Sequence, residues 1–188
     1  MDNKLKIINY LGKNTGTSYT MHELSKLTGI PYATFHRTVK DMKGIIIVKQ
    51  VGKSKTIALN IKNKVINSYL SISSEEEKDE YLKKQPILAK ISSEIETEDI
   101  MILFGSYAKK TQKETSDIDI LIINKKGDKN ISFSKYEVLF KKHINPIFIT
   151  KEEFKNMINE KDENVGKQAL RSHIILNNPE KFWEMVNE

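Results

Sequence analysis

The chain has 188 residues, 38% of them apolar, and this length allows one large domain or two small ones. Its apolar runs are far shorter than the roughly 20 residues that a membrane-spanning helix needs, and its first residues lack the apolar core of a signal peptide. The absence of cysteine excludes disulfides and thiolate metal sites, and we expect a cytoplasmic protein that makes no membrane contact.

The net charge of +6 is distributed unevenly along the chain. Residues 1–65 contain twelve Lys or Arg residues and three Asp or Glu residues, which gives a net charge of +9. The remaining residues contain 19 basic and 22 acidic side chains, a net charge of −3. A basic first third is typical of a segment that meets a polyanion, although charge alone favours an ordinary solvated, lysine-rich surface.

Apolar periodicity and turn residues predict three helices and then a hairpin: helices over 4–11, 20–28 and 31–43, and strands over 45–48 and 56–59. Thr20 and Glu23 have the spacing of a capping box, which marks the start of the second helix. Gly29 and Pro31 mark a tight turn before the third helix. The hairpin tip, residues 51–55, is basic.

Over about residues 4–61 this order resembles the winged helix-turn-helix domains of prokaryotic transcription regulators. In such domains the helix after the turn enters the major groove and the wing contacts the phosphate backbone. The resemblance therefore implies double-stranded DNA as a partner, with base-edge contacts from four residues and phosphate contacts from two: Thr34, His36, Arg37 and Lys40, then Lys53 and Lys55. A winged helix used for protein contacts is the alternative, and a palindromic DNA site would imply a homodimer.

Residues 71–80 are polar and acidic, and this change in composition predicts a domain boundary. We expect a winged helix-turn-helix domain over residues 1–70, a linker with helical character over 71–86, and a second domain over 87–188.

In the second domain, short β-branched runs predict strands over 101–104 and 118–123. The first strand ends at Gly105 and Ser106, and a short helical segment is expected from Tyr107 to about Lys113. Glycine permits close approach of the backbone, and serine at a helix start leaves N–H groups facing outward. This pattern is typical of a phosphate cradle.

The second strand opens with the sequence Asp117-Ile118-Asp119. Side chains alternate along a strand, so both carboxylates are expected on one side and the isoleucines on the other. Two such aspartates without any other motif often mark only an exposed strand start. Beside a phosphate cradle, however, two aligned carboxylates favour Mg²⁺ held on a nucleoside triphosphate.

Residues 104–109 and 116–121 together resemble the signature of the minimal nucleotidyltransferases of the DNA polymerase β-like superfamily. The resemblance implies an α+β fold with a small mixed β-sheet flanked by helices. It also implies catalytic and metal-binding roles for Asp117 and Asp119, and nucleotide binding by Gly105 and Ser106. The family usually has glycine where Lys110 stands, and an added cation there could attract the phosphates or alter how tightly the segment wraps them.

A further strand is predicted over 144–150, followed by a helix from Lys151. Matching this part to the family puts Asn145 where a third catalytic aspartate usually stands. Asparagine can still take part in hydrogen bonds, but it brings no negative charge to metal ions. A turn residue before Pro146 is an equally good interpretation.

Two functions follow. The first is Mg²⁺-dependent transfer of a nucleotidyl group, most simply AMP from ATP, to a hydroxyl acceptor, coupled to a DNA-binding winged helix. In related minimal proteins the acceptor can be a residue on a partner protein. The alternative is a transcription regulator whose nucleotidyltransferase domain is degenerate, sensing nucleotide or serving only assembly. Asn145 and Lys110 favour the alternative, because transfer through two metals normally needs the full set of carboxylates.

Overall fold

The computed structural model describes residues 1–52 and 54–188. The chain divides into two compact units, residues 1–76 with Asn187, and residues 77–186 with Glu188. The first unit begins with six elements: α1 (Asn3–Lys13), β1 (Tyr19–Thr20), α2 (Met21–Thr28), α3 (Tyr32–Lys40), β2 (Ile46–Val51) and β3 (Ser54–Leu59). A longer helix follows, α4 (Ile66–Leu82), within which the boundary between the units falls.

Local capping determines where the helices of the first unit begin and end. Asp2 accepts a hydrogen bond from the backbone N–H of Leu5, and Thr20 accepts one from that of Glu23. Gly29 ends α2 with a φ of 65°, a left-handed conformation that glycine adopts without a Cβ penalty. Pro31 is the N-cap of α3, which ends at Lys40, three residues earlier than predicted.

The first unit contains a three-stranded antiparallel sheet in the order β1-β3-β2. β2 and β3 form the predicted hairpin, and both are longer than the sequence pattern indicated. β1 was not predicted, because a strand of two residues is too short to show the alternation of buried and exposed side chains. The core beneath the sheet consists of fully buried apolar side chains, among them Ile7, Leu24, Phe35, Met42 and Ile57.

α4 is one continuous helix through most of residues 71–86, where the sequence predicted a linker with helical character. Serines in this stretch do not interrupt it, because Ser71 and Ser73 donate their hydroxyls to the carbonyls of Asn67 and Leu70 in the preceding turn. The helix contains no glycine or proline, and the next proline, Pro86, opens the helix that follows.

The second unit contains ten elements after α4: α5 (Pro86–Glu94), β4 (Ile100–Phe104), α6 (Gly105–Ala108), β5 (Ile118–Asn124), α7 (Ser134–Phe140), β6 (Ile144–Thr150), α8 (Lys151–Asn159), α9 (Val165–Arg171), β7 (Ile174–Asn177) and α10 (Pro179–Asn187). Strands β4, β5 and β6 confirm the three predicted ones. They join β7 in a four-stranded sheet in the order β6-β5-β4-β7. The structure is therefore α+β, with helices and two small sheets.

The sheet of the second unit is mixed, since β4 pairs antiparallel with β5 and β7, whereas β5 and β6 are parallel. The end of β4 and the starts of β5 and β6 consequently lie at one edge, which we call the polar edge. In the pairing register Asp119 lies opposite Phe104 on one side and Asn145 on the other. Within the described ranges, no helix combines the length and apolar character required to cross a membrane.

Candidate active site

Gly105 joins β4 to α6 at the polar edge. Its φ of 69° is in the left-handed region, and a Cβ added to it would overlap the carboxylate oxygen Oδ2 of Asp119. The missing side chain therefore lets the Asp119 carboxylate lie directly against the backbone where β4 ends. The sequence predicted close approach of this backbone to a phosphate, and that stays a prediction.

The helical segment after Gly105 differs from the prediction. We expected a helix from Tyr107 to about Lys113, but α6 begins at Gly105 and ends at Ala108. Lys110 has a φ of 58°, which no right-handed helix permits, and its N–H donates to the Tyr107 carbonyl as the chain turns away. A left-handed lysine costs roughly 1–2 kcal/mol that glycine would not.

Asp117 and Asp119 occupy different surroundings. Asp119 lies in β5 and is half-buried, whereas Asp117 precedes the strand and is exposed. Within residues 1–52 and 54–188, the Asp117 carboxylate has no hydrogen-bond or ion-pair partner. Ile118 and Ile120 are fully buried in the core, as strand alternation predicts. Asp119 is thus the one residue of β5 that is not buried, and Asp117 lies just before the strand.

Asn145 is the second residue of β6, so it is part of a strand and not of a turn. It pairs in register with Asp119, and its side-chain Nδ2 donates a hydrogen bond to Asp119 Oδ1 at 3.2 Å. The structure therefore brings Gly105, Asp119 and Asn145 together at the polar edge, from three different strands or strand ends.

Residues 85–176 match the family model of the nucleotidyltransferase domain. The matched segment runs from the start of α5 to the end of β7, and it contains Gly105, Asp117, Asp119 and Asn145. The match supports a minimal nucleotidyltransferase and indicates nucleotidyl transfer in general. Searches of curated proteins and of solved structures found no match. The winged helix of the first unit stays a prediction.

The carboxylates near the polar edge fit a metal–nucleotide complex better than a metal bound by protein alone. In the described part of the chain, no group of three or more His, Cys, Asp or Glu side chains is placed to hold an ion. Mg²⁺ commonly binds through one or two carboxylates and takes its other ligands from substrate phosphates and water. Asp117 and Asp119 are the residues that could supply such carboxylates, and Asp119 Oδ2 lies against the Gly105 backbone.

Tyr81 is a residue of the second unit that sequence reasoning missed. It lies near the end of α4, and its hydroxyl donates a hydrogen bond of 2.8 Å to the Tyr107 carbonyl in α6. Burial raises the pKa of Tyr81 to about 12, with a smaller contribution from Tyr107. The Lys110 ammonium lies 6.0 Å from the centre of its ring. No local pattern could reveal this contact, because Tyr81 and Tyr107 are 26 residues apart.

Glu137 was predicted only as part of a capping box with Ser134, and that prediction is wrong. Phe133 is the N-cap of α7 and makes no side-chain cap. Glu137 Oε1 instead accepts from the Ile144 N–H at 2.9 Å and pairs with His143 at 2.8 Å. The Ile144 N–H chiefly, and His143 to a lesser degree, lower the pKa of Glu137. This carboxylate therefore fastens the start of β6 beside Asn145.

The predicted DNA contacts lie in the first unit. Thr34, His36, Arg37 and Lys40 are all on α3, with Arg37 and Lys40 exposed and the other two half-buried. Lys55 is exposed on β3. Lys53 lies outside the described residues.

Proposed function

We propose that the second unit is a Mg²⁺-dependent nucleotidyltransferase that transfers a nucleotidyl group, most simply AMP from ATP, to a hydroxyl acceptor. One observation carries the proposal: the Asp119 carboxylate lies against the Gly105 backbone, at the edge where β4 ends and β5 and β6 begin. That edge lies within the segment that matches the nucleotidyltransferase family model.

In this proposal Asp117 and Asp119 would hold Mg²⁺, which when bound offsets the negative charge of the phosphates. Ser106, the backbone at Gly105 and the Lys110 ammonium would bind and orient the terminal phosphates. The acceptor oxygen then forms a bond to the α-phosphorus, and the bond to the oxygen bridging the α- and β-phosphates breaks. Pyrophosphate leaves with that bridging oxygen, and the hydroxyl proton passes to solvent.

The acceptor we propose is a hydroxyl on a macromolecule, with a residue of a partner protein as the first candidate, in line with the resemblance to minimal nucleotidyltransferases. The test is incubation of the protein with host lysate, Mg²⁺ and ATP labelled at the α-phosphate. We expect a labelled macromolecule with the wild type and none with Asp117→Ala, because that variant lacks one of the two carboxylates.

Two controls make the outcome specific. ATP labelled at the γ-phosphate should leave the macromolecule unlabelled, since pyrophosphate carries that label away. Glu114→Ala removes another exposed carboxylate from the same loop and should keep the labelling. Label that persists in Asp117→Ala, or that arrives from the γ-phosphate, contradicts nucleotidyl transfer by this site.

A second candidate function is favoured by one contact, the hydrogen bond from Asn145 to Asp119. The resemblance puts a third carboxylate where this neutral amide stands, so the domain could bind nucleotide as a ligand of a transcription regulator without transferring it. Mg²⁺-dependent ATP binding with no labelled product under any acceptor condition would favour this function.

For the first unit we propose binding to double-stranded DNA in the cytoplasm, as a homodimer where the DNA site is palindromic. Support comes from the net charge of +9 on residues 1–65 and from exposed Arg37 and Lys40 on α3. A helix that follows a tight glycine turn and precedes a hairpin is the arrangement that places side chains in a major groove.

Removing the two wing lysines is expected to weaken binding to all sequences alike. Each phosphate contact contributes about 0.9 to the slope of log affinity against log salt, so Lys53→Ala/Lys55→Ala should lower that slope by up to about 2. Fluorescence anisotropy of the full chain on duplexes across a salt series measures it. The control Lys83→Ala/Lys84→Ala removes equal charge from exposed positions of the second unit and should leave the slope unchanged.

Arg37→Ala should behave differently from the wing variant. We expect it to cost about 1–3 kcal/mol on the preferred site and to relax specificity there, because arginine reads guanine edges. A uniform loss on all sequences would place Arg37 at the phosphates. Wild-type binding that is absent at low salt, or that does not depend on salt, contradicts DNA binding.

A further inference from the structure

We propose that Tyr32 reads the methyl group of thymine in the DNA that the first unit binds. The inference rests on the DNA binding proposed above and adds a specificity to it. Tyr32 is the first residue of α3. In a helix-turn-helix, base edges are contacted by the N-terminal residues of the helix that enters the major groove. Tyr32 therefore occupies a position from which a side chain reaches the bases.

The Tyr32 ring is exposed and yet held in place. Tyr32 is 48% exposed, and within residues 1–52 and 54–188 every other Phe, Tyr or Trp is half-buried or buried. The centre of the His22 ring, on α2, lies 5.8 Å from that of Tyr32. The centre of the His36 ring, one turn along α3, lies 6.3 Å from it. Aromatic rings at such separations attract each other, so the exposed ring has a defined position.

Tyr32 shares a side of α3 with two residues that are predicted to contact base edges. Residues four apart lie one above the other on a helix, so Tyr32, His36 and Lys40 form one row. Lys40 is exposed, and so is Arg37 on the adjoining side of the helix. An exposed ring among cationic side chains, on a segment with a net charge of +9, is complementary to a polyanion that also presents apolar groups. Duplex DNA has both properties.

The chemistry of the major groove selects the base. Base-pair edges in that groove carry hydrogen-bond donors and acceptors, and their apolar group is the C5 methyl of thymine. An aromatic ring gains free energy by covering apolar surface. A ring at the start of α3 therefore favours thymine over the other three bases. Arg37 and Lys40 offer donors, which suit guanine instead.

Deoxyuridine tests the contact directly, because it pairs like thymine and keeps the O4 acceptor but lacks the methyl group. The full chain selects its preferred duplex from a random pool, and each thymine of that duplex is then replaced in turn. Fluorescence anisotropy measures the affinity. Covering one methyl group corresponds to roughly a fourfold change in affinity, so we expect a loss of about that size at one thymine of each half-site.

Three variants locate the contact. Tyr32→Ala should bind the thymine and uracil duplexes equally at the sensitive position. Tyr32→Phe keeps the ring without its hydroxyl, so the uracil penalty should remain about fourfold. Ile72→Ala is the matched control, since Ile72 is 51% exposed in the same unit but lies on α4, and it should keep the penalty too. Circular dichroism checks that each variant is folded.

A wild type that binds every uracil duplex as tightly as the thymine duplex would overturn the inference and leave DNA binding standing. A uracil penalty that persists in Tyr32→Ala would show that another residue reads the methyl group. Loss of the penalty in Tyr32→Phe would assign the contact to the tyrosine hydroxyl and also overturn the inference. Failure of the wild type to bind any duplex at low salt would contradict the proposed DNA binding itself.

Discussion

Replacing Asp117 and Asp119 together with alanine is expected to abolish Mg²⁺-dependent ATP binding. Asp119 lies in β5 against the Gly105 backbone, and Asp117 lies just before the strand and is exposed. A metal ion typically contributes several kcal/mol of charge stabilisation at a phosphate, and 1.4 kcal/mol corresponds to a factor of ten. The loss of affinity should therefore exceed about 100-fold, as measured by calorimetry in Mg²⁺ and again in chelator.

The matched control for this experiment is Glu114→Ala/Asp162→Ala. It removes the same charge from two exposed positions of the second unit and should bind ATP like the wild type. Circular dichroism checks that every variant is folded. If the Asp117/Asp119 double variant is folded and binds Mg²⁺–ATP with unchanged affinity, the carboxylates do not form the nucleotide site.

Gly105→Ala is expected to reduce nucleotidyl transfer by about 100-fold, the scale of loss that a displacement of 1 Å can cause at a catalytic site. Alanine at a φ of 69° is strained by roughly 1–2 kcal/mol, and its Cβ would overlap Asp119 Oδ2. Backbone and carboxylate must therefore move apart. The rate of label incorporation from α-labelled ATP and the thermal midpoint together measure the effect.

Gly127→Ala separates backbone strain from the displacement of Asp119 as the cause of the lost transfer. Gly127 has the same φ of 69°, but its nearest neighbour would be Glu153 Oε2 at 3.4 Å from the new Cβ. It should therefore lower the thermal midpoint through backbone strain and leave transfer nearly intact. Equal losses of transfer in both variants would show that general destabilisation, and not the displacement of Asp119, explains the Gly105 result.

Prediction from the sequence was accurate where the signal was local. The β-branched runs predicted β4, β5 and β6, and strand alternation predicted that Ile118 and Ile120 are buried while Asp119 is not. It was wrong about α6, which ends before Lys110 because that residue has a left-handed backbone. The pattern of polar residues after Gly105 carries no sign of this conformation.

The sequence by itself determined strands β4, β5 and β6, the glycine turn at Gly105 and the unburied Asp119 between buried isoleucines. Each of these depends on neighbouring residues, through the period of two in a strand or the freedom of glycine. Only the tertiary structure decided that Asn145 donates to Asp119 and that Tyr81 holds the Tyr107 carbonyl. These contacts join residues 26 positions apart, and the sheet register and the end of α4 bring them together.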